Sequence, residues 1–229
     1  MYIVLVRHGE TDFNKSKRMQ GSEVDPPLND MGVKQASETG KFLKNMFNFS
    51  KIYSSPYLRA IKTSEIIKKE INFKGEIIIE DELKEASKGI FSGKTNDEVK
   101  NLINSTSELK KIEKENKNYN HLEKLIHIYD YSKVAHITKQ EDWLKIGKRA
   151  SKILNKIIDE NFGNNILIIS HGSFISNAIR NLFKIRLFHT EKIKNGNCGI
   201  TVIKIDKDKT KELIMSPNNM HLAHLYEKI

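Results

Sequence analysis

The chain carries one cysteine, Cys198, in 229 residues, so no internal disulfide can form and the expected setting is a reducing compartment, the cytoplasm. Lying among apolar residues, Cys198 reads as packing and not as a nucleophile. Nothing approaches the run of about 18 apolar residues that crosses a bilayer, and residues 2–6 are too few for the apolar core of a secretory signal. No membrane partner is therefore expected. Proline is scarce, four in all, and no stretch rich in Pro, Gly or Ser divides the chain. One domain over 1–229, with an insertion at about 96–140, is the economical reading. Acidic residues are outnumbered, 29 against 39 Lys and Arg, which leaves a formal net charge of +10. Such an excess suits nucleic acid when it is clustered, but these lysines stand singly or in pairs, interleaved with Asn and Ile and not with aromatics. Most read as solvated faces, so no nucleic-acid partner is expected, while the general basic field favours anionic substrates.

Against that background two short apolar runs stand out. Tyr2-Ile3-Val4-Leu5-Val6 has no polar face of its own, reads as a buried strand, and stops at Arg7-His8-Gly9. Ile166-Leu167-Ile168-Ile169 repeats the theme and stops at Ser170-His171-Gly172-Ser173. Open α/β sheets bind ligands at the carboxyl ends of their strands. There Arg7 brings a permanent charge, His8 a nucleophile or base near neutral pH, and Gly9 a sharp turn with close backbone approach. Gly172 and Ser173 open a helix with Phe174, Ile175, Ala178, Ile179, Leu182 and Phe183 on one side, and their N–H groups form an expected anion seat.

Between these runs, Thr11 to Pro27 is a polar loop holding Asn14, Arg18, Gln20 and Gly21 and ending in Asp25-Pro26-Pro27; loops of this length in compact domains are usually functional. Asn29 or Asp30 then caps a helix with an inner stripe of Val33, Ala36, Gly40, Leu43 and Phe47. Lys51-Ile52-Tyr53 is a second strand. Ser54-Ser55-Pro56 reads as a hydroxyl cap and early proline for the next helix, which places Arg59 in its first turn, over the carboxyl edge of the sheet. Glu76 to Glu80 is a third strand, with Glu85 in the loop beyond it. From Thr95 to about Gln140 the pattern loosens into charged helical stretches, including Ser107 to Asn120, with few apolar anchors; this segment either covers the carboxyl edge as a lid or frays in solvent. Trp143, Gly147, Ala150, Leu154 and Ile157 mark a long helix, 199–205 and 211–215 two last strands, and His221 and His224 read as surface residues of the tail. The expected fold is α/β, a three-layer sandwich with a mostly parallel twisted sheet and helices on both faces.

This organisation gathers two imidazoles (His8, His171), two guanidiniums (Arg7, Arg59) and one carboxylate (Glu85) on one edge. Two histidines and a carboxylate can serve a hydrolytic metal, but the guanidiniums would oppose a divalent cation, so no metal is expected. Fixed positive charge suits a phosphoryl group instead, because guanidinium forks match its oxygens.

Arg7-His8-Gly9-Glu10-Thr11, Asn14, Arg18-Met19-Gln20-Gly21, the Leu28 to Gly32 and Gln35-Ala36 pattern, Ser54-Ser55-Pro56 with Leu58-Arg59-Ala60 and Thr63, Leu83-Lys84-Glu85 with Gly89 and Gly93, Ser170-His171-Gly172, and Asn197 together resemble the histidine phosphatase superfamily in its phosphoglycerate-mutase-like branch. The resemblance spans nearly the whole chain outside 96–140. It implies that His8 attacks phosphorus and becomes a phosphohistidine, that Glu85 is the general acid and then base, and that Arg7, Arg59, Asn14 and His171 hold the equatorial oxygens. Gln20, Gly21, Gly172 and Ser173 join Asn14 as expected phosphate-binding positions. His8 must then be neutral at the attacking nitrogen, its other nitrogen donating to a backbone carbonyl and the arginines disfavouring its protonation.

The family's glycolytic mutases follow the catalytic Glu with Arg-His-Tyr and carry an arginine pair in the insertion. Here Ala86-Ser87-Lys88 comes after Glu85, and no arginine occurs between Arg59 and Arg149. A phosphoenzyme lacking those charges should be lost to water. The expected activity is therefore phosphomonoester hydrolysis with no required cofactor; the alternative is a phosphoglycerate mutase primed by 2,3-bisphosphoglycerate. The expected partner is a small phosphorylated substrate or a phosphoprotein, with room for a homodimer. An inactive basic scaffold of the same fold predicts loss of a catalytic residue, and none is missing.

Overall fold

The computed structural model describes residues 1–115, 131–185, 193 and 195–226. Six strands form one sheet: β1 (Tyr2–Arg7), β2 (Lys51–Ser54), β3 (Ile77–Ile79), β4 (Ile166–Ser170), β5 (Ile200–Ile205) and β6 (Lys211–Asn218), in the order β3-β2-β4-β1-β5-β6. β1, β2, β3 and β4 run parallel, whereas β5 is antiparallel to β1 and β6 to β5. The two apolar runs are the central neighbours. Their register pairs Arg7 with Ser170, so His8 and His171 leave the sheet side by side, and the His8 N–H donates to the Ser170 carbonyl at 2.9 Å.

Alternation along the strands sorts their side chains onto two faces. Ile3, Leu5, Ile166, Ile168 and Ile203 pack with Leu154 and Ile157 of α7 (Trp143–Glu160) and with Phe174 and Ile179 of α8 (Gly172–Leu182). Ahead of α2 (Asp30–Lys44), the segment expected as loop contains a one-turn helix, α1 (Asp12–Lys15). Val4, Val6, Leu167, Ile169 and Val202 pack with Leu43 of α2 and with Ala60 and Ile67 of α3 (Leu58–Glu70). The result is the expected three-layer α/β arrangement. Each fully buried aliphatic chain in these clusters contributes about 1.5–3 kcal/mol.

Three local expectations are corrected. The inner face of α2 is Gly32, Gln35, Ala36, Thr39, Gly40 and Leu43, while Val33 is exposed; the helix turns polar and small residues inward because Gln35 Oε1 accepts the Glu10 N–H at 2.9 Å. α3 begins at Leu58 with no hydroxyl cap. Asp25 Oδ2 takes the Leu58 N–H at 2.7 Å instead, and the Ser55 hydroxyl is turned toward His171. In the tail His221 is half-buried, stacked on Phe42 and 2.9 Å from Thr39 Oγ1; His224 is exposed as expected.

The insertion is better anchored than its charge suggests. α4 (Asn96–Ser105) starts on a capping box between Thr95 and Glu98, and Glu98 also receives Arg18 at 2.9 Å. Val99, Ile103 and Leu109 join Phe91 and Trp143 in a small apolar cluster of their own, so fraying does not describe this part. The expected helix over Ser107 to Asn120 is seen as α5 (Ser107–Glu115), and residues 116–120 lie outside the described residues. α6 (Tyr131–Thr138) leads back to α7. Among the described residues, no helix is long and apolar enough to cross a membrane.

Candidate active site

The site forms where β2, β4 and β1 end together. His8 and His171 are buried, with ring centroids 5.2 Å apart. His8 Nδ1 lies 2.7 Å from the Gly9 carbonyl, and since a carbonyl only accepts, Nδ1 carries the hydrogen and Nε2 keeps its lone pair. The loop is pinned from below: the Gly9 N–H donates to Thr63 Oγ1 at 3.0 Å, and the His8 carbonyl accepts from Asn197 Nδ2 at 3.2 Å. Gly9 and Gly32 touch through their backbones, since a Cβ on Gly9 would lie 2.5 Å from the Gly32 carbonyl oxygen.

Arg59 is fully buried at the start of α3. Nη1 donates to the Val24 carbonyl at 2.9 Å and to Asp25 Oδ1 at 3.0 Å, Nη2 to the Gly21 carbonyl at 3.0 Å, and the guanidinium lies 4.7 Å over the Tyr57 ring. Gly21 has φ +67°, a conformation that suits glycine and aims its carbonyl at Arg59. Arg7 Nη1 donates to the Asn195 carbonyl at 2.6 Å. Among the described residues, the buried polar atoms without a protein partner here include Arg7 Nε, Arg59 Nε and His171 Nδ1. His171 Nε2 is 2.7 Å from Ser55 Oγ.

Glu85 sits at the amino end of α8. Its Oε1 accepts the N–H groups of Ala86 at 2.8 Å and Phe174 at 3.2 Å, and Oε2 that of Ser173 at 3.2 Å. The loop carrying it is strapped by Arg149, which donates to the carbonyls of Glu82 at 2.6 Å and Lys84 at 3.1 Å while pairing with Glu141 at 2.9 Å.

The electrostatics arise from burial beside fixed charge. His8 is held well below its ordinary value, first by burial and then by Arg7 and Arg59; the Gly9 carbonyl pulls the other way. His171 is held down likewise by burial, then by Arg59, His8, Arg7 and Arg149. Burial lowers both arginines, and the Glu85 carboxylate is the strongest influence in the opposite direction on each. Burial pushes the Cys198 thiol up to about 12, as a packed residue requires. Among the described residues no three His, Cys, Asp or Glu side chains form a group that could hold a metal ion.

The structure thus brings His8, Arg7, Arg59, Glu85 and His171 into one constellation. Asn14 adjoins it: its Oδ1 accepts from Thr11 and from Asn197 Nδ2 at 3.0 Å. Gln20 is buried with Oε1 unpartnered, its carbonyl taking the Ser92 hydroxyl at 2.8 Å, and no hydrogen bond joins it to the five among the described residues. At the expected anion seat the Ser173 N–H is directed at Glu85, and Gly172 lies against Arg7. Sequence reasoning missed Ser55, Asp25 and Arg149 as site residues. The Asp-Pro-Pro turn pointed at Asp25, but nothing local pointed at Arg149.

The family model for the histidine phosphatase superfamily (branch 1) matches residues 3–216. The chain belongs to that superfamily. Among curated relatives, fructose-2,6-bisphosphatase TIGAR B of Danio rerio is 35% identical over 108 residues, which is 46% of this chain and 42% of that protein; the match spans less than half the length of either. Among solved structures, phosphoserine phosphatase of Entamoeba histolytica in complex with 3-phosphoglyceric acid is 26% identical with TM-score 0.74, covering 96% of this chain and 98% of that one. Phosphoglycerate mutase of Bacillus anthracis is 25% identical with TM-score 0.73, covering 97% and 95%. The superfamily neighbours thus include both hydrolases and a mutase.

Proposed function

We propose that the protein is a phosphomonoester hydrolase working through a phosphohistidine on His8. The observation that carries the reading is a buried imidazole with its Nδ1 hydrogen committed to a carbonyl, set beside the Nε donors of Arg7 and Arg59, which have no partner among the described residues. Buried unpartnered donors are costly unless a ligand meets them, and a phosphoryl group has the oxygens to do so. In this reading the Nε2 lone pair of His8 forms the N–P bond as the P–O bond to the alcohol breaks, and Glu85, which enters the step as the protonated acid, gives that proton to the departing oxygen. Water then attacks phosphorus, Glu85 takes its proton, and the N–P electrons return to Nε2 as phosphate leaves. Arg7, Arg59, His171 and the Asn14 amide balance the equatorial charge. No metal or organic cofactor enters this scheme.

The partner we propose is a small phosphorylated substrate or a phosphoprotein, met in the cytoplasm, without nucleic acid. Supporting this are the scattered lysines, the lone buried thiol and the hydrolases named among the relatives. The test is incubation with 3-phosphoglycerate, with and without 2,3-bisphosphoglycerate, measuring free phosphate against the 2-isomer. Steady phosphate release with little isomer supports hydrolysis; rapid isomer formation with little phosphate makes the protein a mutase.

A further inference from the structure

We infer that Lys88 is a specificity-determining residue that receives a second anionic group, carboxylate or phosphoryl, borne by the alcohol part of the substrate. The inference rests on the phosphatase reading above and names its substrate class.

Lys88 lies on the turn after Glu85, and that turn is held rigidly. Glu23 accepts the Ser87 hydroxyl, and it also accepts the N–H groups of Lys88 and Gly89 at 3.1 Å each. The side chain then bridges the two walls of the site. Its stem passes beside Gly21, where a Cβ would come within 2.8 Å of Lys88 Cγ, and the Gly21 carbonyl is the one that fixes Arg59. Its ammonium reaches Ser173 Oγ at 3.3 Å, on the residue whose N–H holds Glu85. The charge therefore sits next to the proposed proton donor, at the end of the site where the alcohol departs.

Among the described residues Lys88, like Arg7, is a cation of this neighbourhood with no carboxylate in an ion pair. Arg59 pairs with Asp25, Arg149 with Glu141, Arg18 with Glu98 and Lys84 with Asp81. Among the described residues no carboxylate pairs with the Lys88 ammonium, which has the Ser173 hydroxyl and the Trp143 ring face at 5.5 Å. Both neighbours hold an ammonium in place without neutralising it. A half-buried cation left in that state gains most from an incoming anion, and in the proposed function Arg7 and Arg59 are already assigned to the phosphoryl group.

The test compares three substrates on one carbon frame: glycerol 3-phosphate, 3-phosphoglycerate and glycerol 1,3-bisphosphate. The wild-type protein is expected to prefer one or both of the substrates with an anionic tail over glycerol 3-phosphate in kcat/KM, and the preferred tail tells carboxylate from phosphoryl. Lys88→Met should shrink that preference by about tenfold or more, mainly through KM, as loss of a charge-assisted contact would, while Lys88→Arg restores most of it. A wild-type protein that hydrolyses all three alike overturns the assignment, as does a preference that Lys88→Met leaves intact in a protein with unchanged thermal midpoint. Failure of the wild type to release phosphate from any of the three, or from p-nitrophenyl phosphate, instead removes the phosphatase reading beneath it.

Discussion

The Glu85 carboxyl group and the Ser173 N–H meet at 3.2 Å, so the amino end of α8 is capped by an acidic side chain from a distant loop. Helix starts attract anions, and here that attraction positions the proposed acid. Glu85→Gln can keep the Ala86 and Phe174 N–H groups on its amide oxygen, but it sets its NH2 against the Ser173 N–H and loses the transferable proton. Hydrolysis of an alkyl phosphate should fall by about 10²–10⁴, and that of p-nitrophenyl phosphate much less, since its leaving group needs no proton. Equal losses on the two substrates would remove Glu85 from the acid role.

His8 is the proposed point of covalent attachment. Brief reaction with a labelled phosphomonoester and then alkaline denaturation should trap phosphate on the wild-type chain, and His8→Ala should trap none. His171→Ala should reduce the rate of labelling while leaving the label on residue 8, which peptide mapping would show.

Asp25 holds Arg59 from outside the site and also receives the first N–H of α3. Asp25→Ala should cost about 1–3 kcal/mol in chemical denaturation, because it leaves a buried guanidinium short of its partner. It should also raise KM for a phosphomonoester by about tenfold as Arg59 loses its fixed direction. An unchanged KM would mean that the Gly21 and Val24 carbonyls suffice.

Gly32 is the contact through which α2 sets the height of the catalytic loop. A methyl at this position would collide with Glu10, its Cβ meeting the backbone nitrogen at 2.7 Å. Gly32→Ala should destabilise by about 1–3 kcal/mol and lower kcat more than it alters KM, since the displaced group is the loop that carries His8. Melting curves and steady-state rates on the same preparation would check both.

Burial and the nearby guanidiniums keep His8 and His171 neutral well below 6.5. The unfolded chain takes up these protons near the ordinary value of about 6.5, so it binds more protons than the native state at mildly acid pH. Stability is therefore fully present above about 6.5 and is lost as pH falls toward the lowered native values, by at most about 1.4 kcal/mol per pH unit for each histidine. The thermal midpoint should drop between pH 7 and 5, and His171→Gln should show a shallower slope than the wild type. Parallel slopes would show that His171 does not carry the proton difference.

Much of this was legible in the chain because it is local. A run such as Val4-Leu5-Val6 must be a doubly covered strand, and the next residues, Arg7 and His8, must stand at the strand's end; the same holds for Ile168-Ile169 and His171. Asn29 and Asp30 both marked the start of α2 by their chemistry, and Asn29 is the one that caps it, its side-chain oxygen accepting the Gly32 N–H at 2.9 Å. The inner face of α2 escaped because hydrophobic periodicity cannot register Gln35, a polar residue buried to serve Glu10. Ser55 was misread because a hydroxyl before a helix is an ordinary cap, and only the arrival of His171 beside it, through the pairing of β2 with β4, gives it another partner.

Residue order alone was enough for the strands, the long helices packed on the sheet and the types of side chain delivered to the edge, since these depend on neighbours a few positions away. Only folding in three dimensions decided that residues 21, 24 and 25 grip Arg59, that Glu85 occupies the start of α8, and that Lys88 reaches across to Ser173. Those contacts join segments 34 to 89 positions apart, and their geometry is set by how whole layers stack, which no short window of sequence contains.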